Sequence, residues 1–247
     1  MTKSGENAGH GRIKGVLFDK DGTLFDYHGT WGPILSEVAA ALAGERISLV
    51  PEMLASIGYR AETGRFEAGS IAAAGDTFAL ADAWRAILGI RDREGLVARL
   101  DGYFAELGPE RSIPVTDLRA YFRAMKGRGL TLGIATNDVA ASAAGTILRF
   151  GISDYIDFAA GYDSGHGAKP GPGMALAFCA ASGLAPADIA VVGDNMHDLE
   201  MGRGAGAGLL VGVLTGTSAA ADLAPLADHV IADITLLPAL LDQSKSR

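Results

Sequence analysis

The sequence predicts an α/β protein, a doubly wound parallel sheet interrupted after its first strand by an inserted all-helical cap. Three observations carry that expectation. Short β-rich apolar runs alternate with segments of helical spacing, the pattern of parallel strands covered by helices on both faces. The stretch from Tyr27 to Ile113 has helical periodicity and no convincing strand. Aspartates stand just beyond the predicted strands, where an open α/β sheet places its ligand crevice.

Taken in order, residues 1–11 are polar and glycine-containing without periodicity, and read as a disordered leader that lacks the apolar stretch of a signal peptide. Ile13–Phe18 (IKGVLF) is an apolar run that stops at Asp19 and predicts the first strand. Residues 12–26 and 114–247 are assigned to the α/β core, and residues 27–113 to the insertion. Within the insertion Asp76 can cap a helix lined by Phe78, Ala81, Trp84 and Leu88. A second helix carries Leu96, Val97, Leu100, Tyr103, Phe104 and Leu107 on one face. Further strands are predicted at Leu130–Ala135, Ile189–Val192, Leu209–Leu214 and His229–Ala232. Between them, Asp138 can cap a helix that runs to about Phe150 before Gly151, and Pro172 can open one that stops at Gly183.

The chain has 247 residues, enough to bury about three quarters of the surface of its unfolded form without a staple. Its single cysteine, Cys179, cannot form an internal disulfide, and no apolar run reaches the length of a membrane span, so a cytoplasmic protein with no membrane partner is expected. Net charge is −8, from 29 acidic and 21 basic residues, with no basic stripe to follow a phosphate backbone; nucleic acid is excluded as a partner. The glycine-rich run Gly202–Gly208 has Ala207 where a dinucleotide fingerprint needs its third glycine, and it ends a helix instead of opening one.

The chemistry concentrates at Asp19-Lys20-Asp21-Gly22-Thr23-Leu24. A spacing of two sends both carboxylates to one side of a nearly extended chain, and Gly22 lets the backbone turn close to a ligand. One carboxylate can then serve as nucleophile and the other as general acid and base. Asp194 and Asp198, in Gly193-Asp194-Asn195-Met196-His197-Asp198, should enter the same crevice. Carboxylates about 4 Å apart repel by about 4 kcal/mol per pair at an effective dielectric near 20, so a cation is required, and all-oxygen ligation favours Mg²⁺. Thr136 and Asn137 follow the second predicted core strand, where a hydroxyl and backbone N–H groups suit an anionic oxygen. Lys169 offers a point charge to a phosphoryl group.

In that order the motifs Asp19-x-Asp21-Gly22-Thr23, Thr136-Asn137, Lys169-Pro170 and Gly193-Asp194-x-x-x-Asp198 resemble the haloacid dehalogenase superfamily of phosphohydrolases, from Ile13 to about Leu240. The resemblance implies that Asp19 attacks phosphorus and that Asp21 protonates the leaving group and then activates water. It implies that Gly22, Thr136, Asn137 and Lys169 bind the phosphoryl group. It also implies that Asp19, the Asp21 carbonyl and Asp194 hold Mg²⁺, with Asp198 ligating directly or through water. Asn195 departs from the Ser or Thr usual after Asp194. Phosphoglycolate phosphatase-like enzymes are the nearest group, with a sugar phosphomutase of β-phosphoglucomutase type as the alternative. The expected partner is a small phosphorylated metabolite, and the expected state a monomer or homodimer. The insertion has eight arginines and no lysine, and Arg65, in a glycine-containing loop, is the first choice to hold a second anionic group of the substrate, a solvated surface role being equally open. His197 is expected to be a partly exposed helix residue without a role, and Cys179 a small buried hydrophobe.

Overall fold

Gly15–Phe18 forms the central strand, β1, because Val16, Leu17 and Phe18 can be apolar on both faces only where both faces are covered. In the computed structural model, which describes residues 13–243, all four residues of β1 are buried. The leader expected at residues 1–11 lies outside the described residues. The remaining strands are β2 (Tyr59–Arg60), β3 (Arg65–Phe66), β4 (Thr131–Ala135), β5 (Phe158–Ala160), β6 (Ile189–Gly193), β7 (Leu209–Val213) and β8 (His229–Ile231). Six of them make a parallel sheet in the order β5-β4-β1-β6-β7-β8. β1 pairs with β4 from Gly15↔Thr131 to Phe18↔Ile134 and with β6 from Gly15↔Ile189 to Phe18↔Val192.

The helices are α1 (Tyr27–Ala43), α2 (Val50–Ser56), α3 (Ile71–Ala74), α4 (Thr77–Leu88), α5 (Arg93–Arg111), α6 (Leu118–Gly127), α7 (Ala140–Arg149), α8 (Gly173–Ser182), α9 (Met196–Ala205), α10 (Ala220–Leu223) and α11 (Leu237–Gln243). Side-chain alternation along β1 sorts the core into two layers. Val16 and Phe18 pack with Leu132, Ile134 and Val192 against Phe122 of α6 and Leu237 of α11. Leu17 packs on the other face with Val191, Phe178 of α8 and Leu199 of α9. Both faces of the sheet are therefore apolar and covered, which is what makes its strands short continuous hydrophobic runs.

Helices α1–α5 close around a core of their own, where Ile34, Val38, Met53, Trp84, Leu100 and Phe104 meet and the Trp84 indole donates to the Met53 carbonyl at 2.9 Å. Asp76 caps α4 as its sequence suggests, accepting from the Ala79 N–H at 2.9 Å. The antiparallel ribbon of β2 and β3, paired Tyr59↔Phe66 and Arg60↔Arg65, interrupts the helices, and two-residue strands leave no periodic signal in a sequence. The edge strand β5 was likewise not predicted, being three residues long. α7 starts one residue later than expected, with Val139 at its N-cap, because the Asp138 side chain is drawn inward instead of capping it. Among the described residues, no helix is long and apolar enough to cross a membrane.

Candidate active site

The carboxyl ends of β1, β4 and β6 lie side by side at the middle of the sheet, so the loops that follow them face one crevice beneath the helical insertion. Asp19 leaves β1 with its backbone N–H donated to the Val192 carbonyl of β6 at 2.8 Å, which fixes the start of the loop while its side chain turns into the cavity. Lys169 approaches from the loop before α8, and its ammonium lies 2.5 Å from Asp19 and 2.6 Å from Asp198. Asn137 puts that lysine in place. Its side-chain oxygen accepts from the Lys169 N–H at 2.8 Å, and its amide donates to the Lys169 carbonyl at 3.1 Å. Thr136, buried beside it, accepts the Asp138 N–H on its hydroxyl at 3.0 Å.

Asp198 combines two tasks, one for each carboxylate oxygen. One oxygen meets Lys169, and the other accepts the Asn195 N–H at 3.0 Å in a capping box at the start of α9. Asp194 is held from a loop that sequence reasoning passed over, Thr215-Gly216-Thr217 after β7. The Thr217 N–H donates to Asp194 at 2.9 Å, and the Thr215 hydroxyl donates to the Gly22 carbonyl at 2.6 Å. The available signal was a run of small residues directly beyond a predicted strand. Gly22 adopts a positive φ of 90°, and a Cβ there would stand 2.5 Å from the Asp194 carboxylate, so both conformation and space demand glycine.

Lys20, read from sequence only as the variable position of the first motif, is 1% exposed and paired to Asp21 at 2.6 Å and to Asp138 at 2.9 Å. Five carboxylates, of Asp19, Asp21, Asp138, Asp194 and Asp198, thus converge on two ammonium groups. Burial pushes the Asp19 carboxyl up to about 7, against the pull of Lys169 and with added repulsion from Asp198. Burial also raises Asp194 well above the carboxylate range, reinforced by Asp19 and Asp198. Burial alone would lower both lysines, but Asp19 and Asp198 hold Lys169, and Asp138 and Asp21 hold Lys20, firmly protonated.

One carboxylate oxygen from each of Asp19, Asp194 and Asp198 lies within 4.8 Å of the other two, all three residues being buried. That donor set fits a hard cation: oxygen ligands only, and more negative charge than the two lysines neutralise. The structure brings together Asp19, Asp21, Thr136, Asn137, Lys169, Asp194 and Asp198 around one cavity, with Gly22 against Asp194. Arg65 stands apart. It lies exposed on β3 and lines a separate groove with His28, Tyr59 and Thr63.

The insertion reaches this crevice through α3, one turn of helix whose last three carbonyls are all engaged. The Tyr27 hydroxyl bonds to Ala72, the Asn195 amide donates to the Ala73 carbonyl at 3.1 Å, and the His197 Nδ1 pairs with that of Ala74 at 3.0 Å. His197 is partly exposed, as expected, but it has a partner across the crevice.

Comparison with known proteins agrees with this geometry. Residues 13–206 match the model of the haloacid dehalogenase-like hydrolases. Over 109 residues the chain is 37% identical to the probable phosphatase IndB of Dickeya dadantii, a match covering 44% of this chain and 47% of that protein. Over 106 residues it is 28% identical to the phosphoglycolate phosphatase of Escherichia coli, covering 43% and 42% respectively. The chain therefore aligns with less than half the length of these two relatives. The crystal structure of a predicted phosphoglycolate phosphatase from Haemophilus somnus superposes with a TM-score of 0.70 at 20% identity, covering 94% of this chain and 99% of that one. The family match across most of the chain, on a sheet whose central strand ends in Asp19, makes this protein a member of the haloacid dehalogenase-like hydrolases.

Proposed function

We propose that the protein is a Mg²⁺-dependent phosphatase of a small phosphomonoester, acting through an aspartyl-phosphate intermediate. The observation that carries this reading is Asp19 at the end of β1, buried, 2.5 Å from Lys169 and next to a second strand-end carboxylate, Asp21. Asp19 attacks phosphorus, forming its O–P bond as the ester P–O bond breaks, and Asp21 gives a proton to the departing alcohol oxygen. Water then attacks the aspartyl phosphate and loses its proton to Asp21, and the Asp19 O–P bond breaks to release inorganic phosphate. The Thr136 hydroxyl and the Lys169 ammonium bind phosphoryl oxygens and keep the group in line. Asp19, Asp194 and the Asp21 carbonyl would hold Mg²⁺, with Asp198 beside them, and the ion when bound supplies positive charge to the phosphoryl oxygens and the crowded carboxylates.

Phosphoglycolate, which names several of the similar proteins, is the first substrate to assay. A phosphomutase would instead need several donors and acceptors for a sugar, whereas in the insertion's part of the lining the Tyr27 hydroxyl and Asp76 are bonded within the protein and the Trp31 indole N–H is the buried donor left without a partner. The expected setting is the cytoplasm, with the protein a monomer or homodimer. The test is phosphate release from p-nitrophenyl phosphate before and after chelation and Mg²⁺ restoration, with mass-spectrometric trapping of phosphorylated Asp19. Metal-independent turnover, or a phosphoryl group on another residue, would overturn the reading.

A further inference from the structure

The cavity above Asp19 is about 100 Å³ and has two unlike halves. The core supplies the carboxylates, Thr136, Asn137 and Lys169. The insertion supplies Tyr27, Trp31, Leu35, Ile71, Leu80 and Phe104. Trp31 and Phe104 meet edge to face with centroids 5.1 Å apart, and all six residues belong to the insertion's own hydrophobic cluster or pack against it.

On this upper half the Trp31 indole N–H is a buried neutral donor without a partner, and the other polar groups are held within the protein. The Tyr27 hydroxyl is bonded to Ala72, and Asp76 caps α4. Asn195 and His197 at the seam hold Ala73 and Ala74. Charge is equally one-sided. Among the described residues that line the cavity Lys169 is the one lysine or arginine, and it is committed to Asp19 and Asp198. The insertion's arginines are used elsewhere: Arg60 pairs with Glu67, Arg93 with Asp82 and Arg111 with Glu37, while Arg65 lines the other groove. A second anion on the substrate would enter an apolar chamber beside Asp19, Asp21 and Asp76 with no cation to meet it, an arrangement opposed by both desolvation and repulsion.

We infer that this chamber selects phosphomonoesters whose alcohol is small, uncharged and apolar. The inference rests on the phosphatase reading and narrows its substrate class. A cavity of about 150 Å³ lined by Leu, Ile and Phe accepts benzene, and the whole cavity here is smaller and also houses the phosphoryl group, so the insertion's half suits an alcohol of only about two to four carbons. Burying one more methylene favours the bound state about fourfold, which sets the slope expected along a chain-length series until the chamber is full.

The test measures kcat/KM of the full-length protein with Mg²⁺ on ethyl, propyl and butyl phosphate, with phosphoglycolate as the charged counterpart of similar size to propyl phosphate. Values should rise about fourfold per methylene from ethyl to butyl phosphate. Phosphoglycolate should fall at least about tenfold below propyl phosphate, since its carboxylate is buried without a partner. In Leu80→Ala the chain length giving the highest kcat/KM should move to a longer alcohol, a shift that general loss of folded protein cannot produce. A flat or falling series, or phosphoglycolate equal to or better than propyl phosphate, overturns the inference while leaving the phosphatase reading in place. Failure of every ester, p-nitrophenyl phosphate included, overturns both.

Discussion

At the scale of single residues the site is a problem of buried charge. Asp19 must be ionised to act as a nucleophile, yet burial pushes its carboxyl up to about 7. Lys169 and a bound cation oppose that shift. Asp19→Asn keeps the shape and removes the nucleophile, so turnover of p-nitrophenyl phosphate should fall below about a hundredth of the native rate with the circular-dichroism spectrum unchanged. Lys20 poses the complementary case. Its ammonium is buried between Asp21 and Asp138, and Lys20→Met would strand both carboxylates without this counter-charge, which should cost about 3–5 kcal/mol in urea unfolding. Adding Asp138→Asn should recover part of that loss, as Asp21 is then the one carboxylate of the pair left without its lysine. A single variant as stable as the native protein would mean that neither Asp21 nor Asp138 depends on this lysine in the fold. Nothing in the sequence distinguishes Lys20 from any residue between two motif aspartates, because its role exists only once β4 delivers Asp138 to it.

Among the elements, what the sequence disclosed depended on length and period. β1, β4, β6, β7 and β8 announce themselves as apolar runs, α4 by its spacing and cap and α5 by its spacing, because each buries a face over several residues. β2, β3 and β5 are two or three residues long and are stabilised by neighbours instead of by their own pattern. The contact of α3 with the start of α9 also depends on tertiary placement. Asn195 reads as a departure from a Ser or Thr pattern, and its longer side chain is what reaches Ala73 while its oxygen still caps α9 through the His197 N–H at 3.1 Å. Asn195→Ser should therefore preserve the cap but lose the bridge. Amide exchange across Ala74–Ala79 should accelerate about fivefold, the effect of losing roughly 1 kcal/mol, while exchange within α9 stays as it was. Equal acceleration in both segments would show that the amide serves α9 alone.

The whole molecule divides labour between a sheet that assembles charge and an insertion that encloses it. Four ordered motifs made the assembly legible, since Asp19, Thr136, Lys169 and Asp194 sit in loops whose position follows from parallel topology. The enclosure was not legible: eight arginines in residues 46–111 suggested an anion-binding cap, and folding directs them to acidic partners, to backbone or to the outer surface.

The charge imbalance of the assembled core predicts how pH and metal act together. Asp19 and Asp194 have raised carboxyl pKa values in the metal-free fold, chiefly through burial. Where the unfolded chain has already released these protons, above about pH 4, the folded protein still holds them. The folded state thus binds more protons, and metal-free stability should decline as pH rises from about 4 through about 7, where Asp19 finally ionises. Mg²⁺ must displace the same protons, so it should bind more tightly on the alkaline side of that window. At a free Mg²⁺ concentration about a hundredfold above its Kd at about pH 8, linkage gives about 2.7 kcal/mol of stabilisation, or a rise in Tm of about 5–10 °C for a chain of this size. The same Mg²⁺ at about pH 5.5 should raise Tm by less than half as much. Scanning calorimetry at the two pH values, with and without Mg²⁺, decides the matter. An equal increment at both, or a larger one in acid, would mean that the ion does not compete with protons for Asp19 and Asp194, and that the cluster they form with Asp198 is not where it binds.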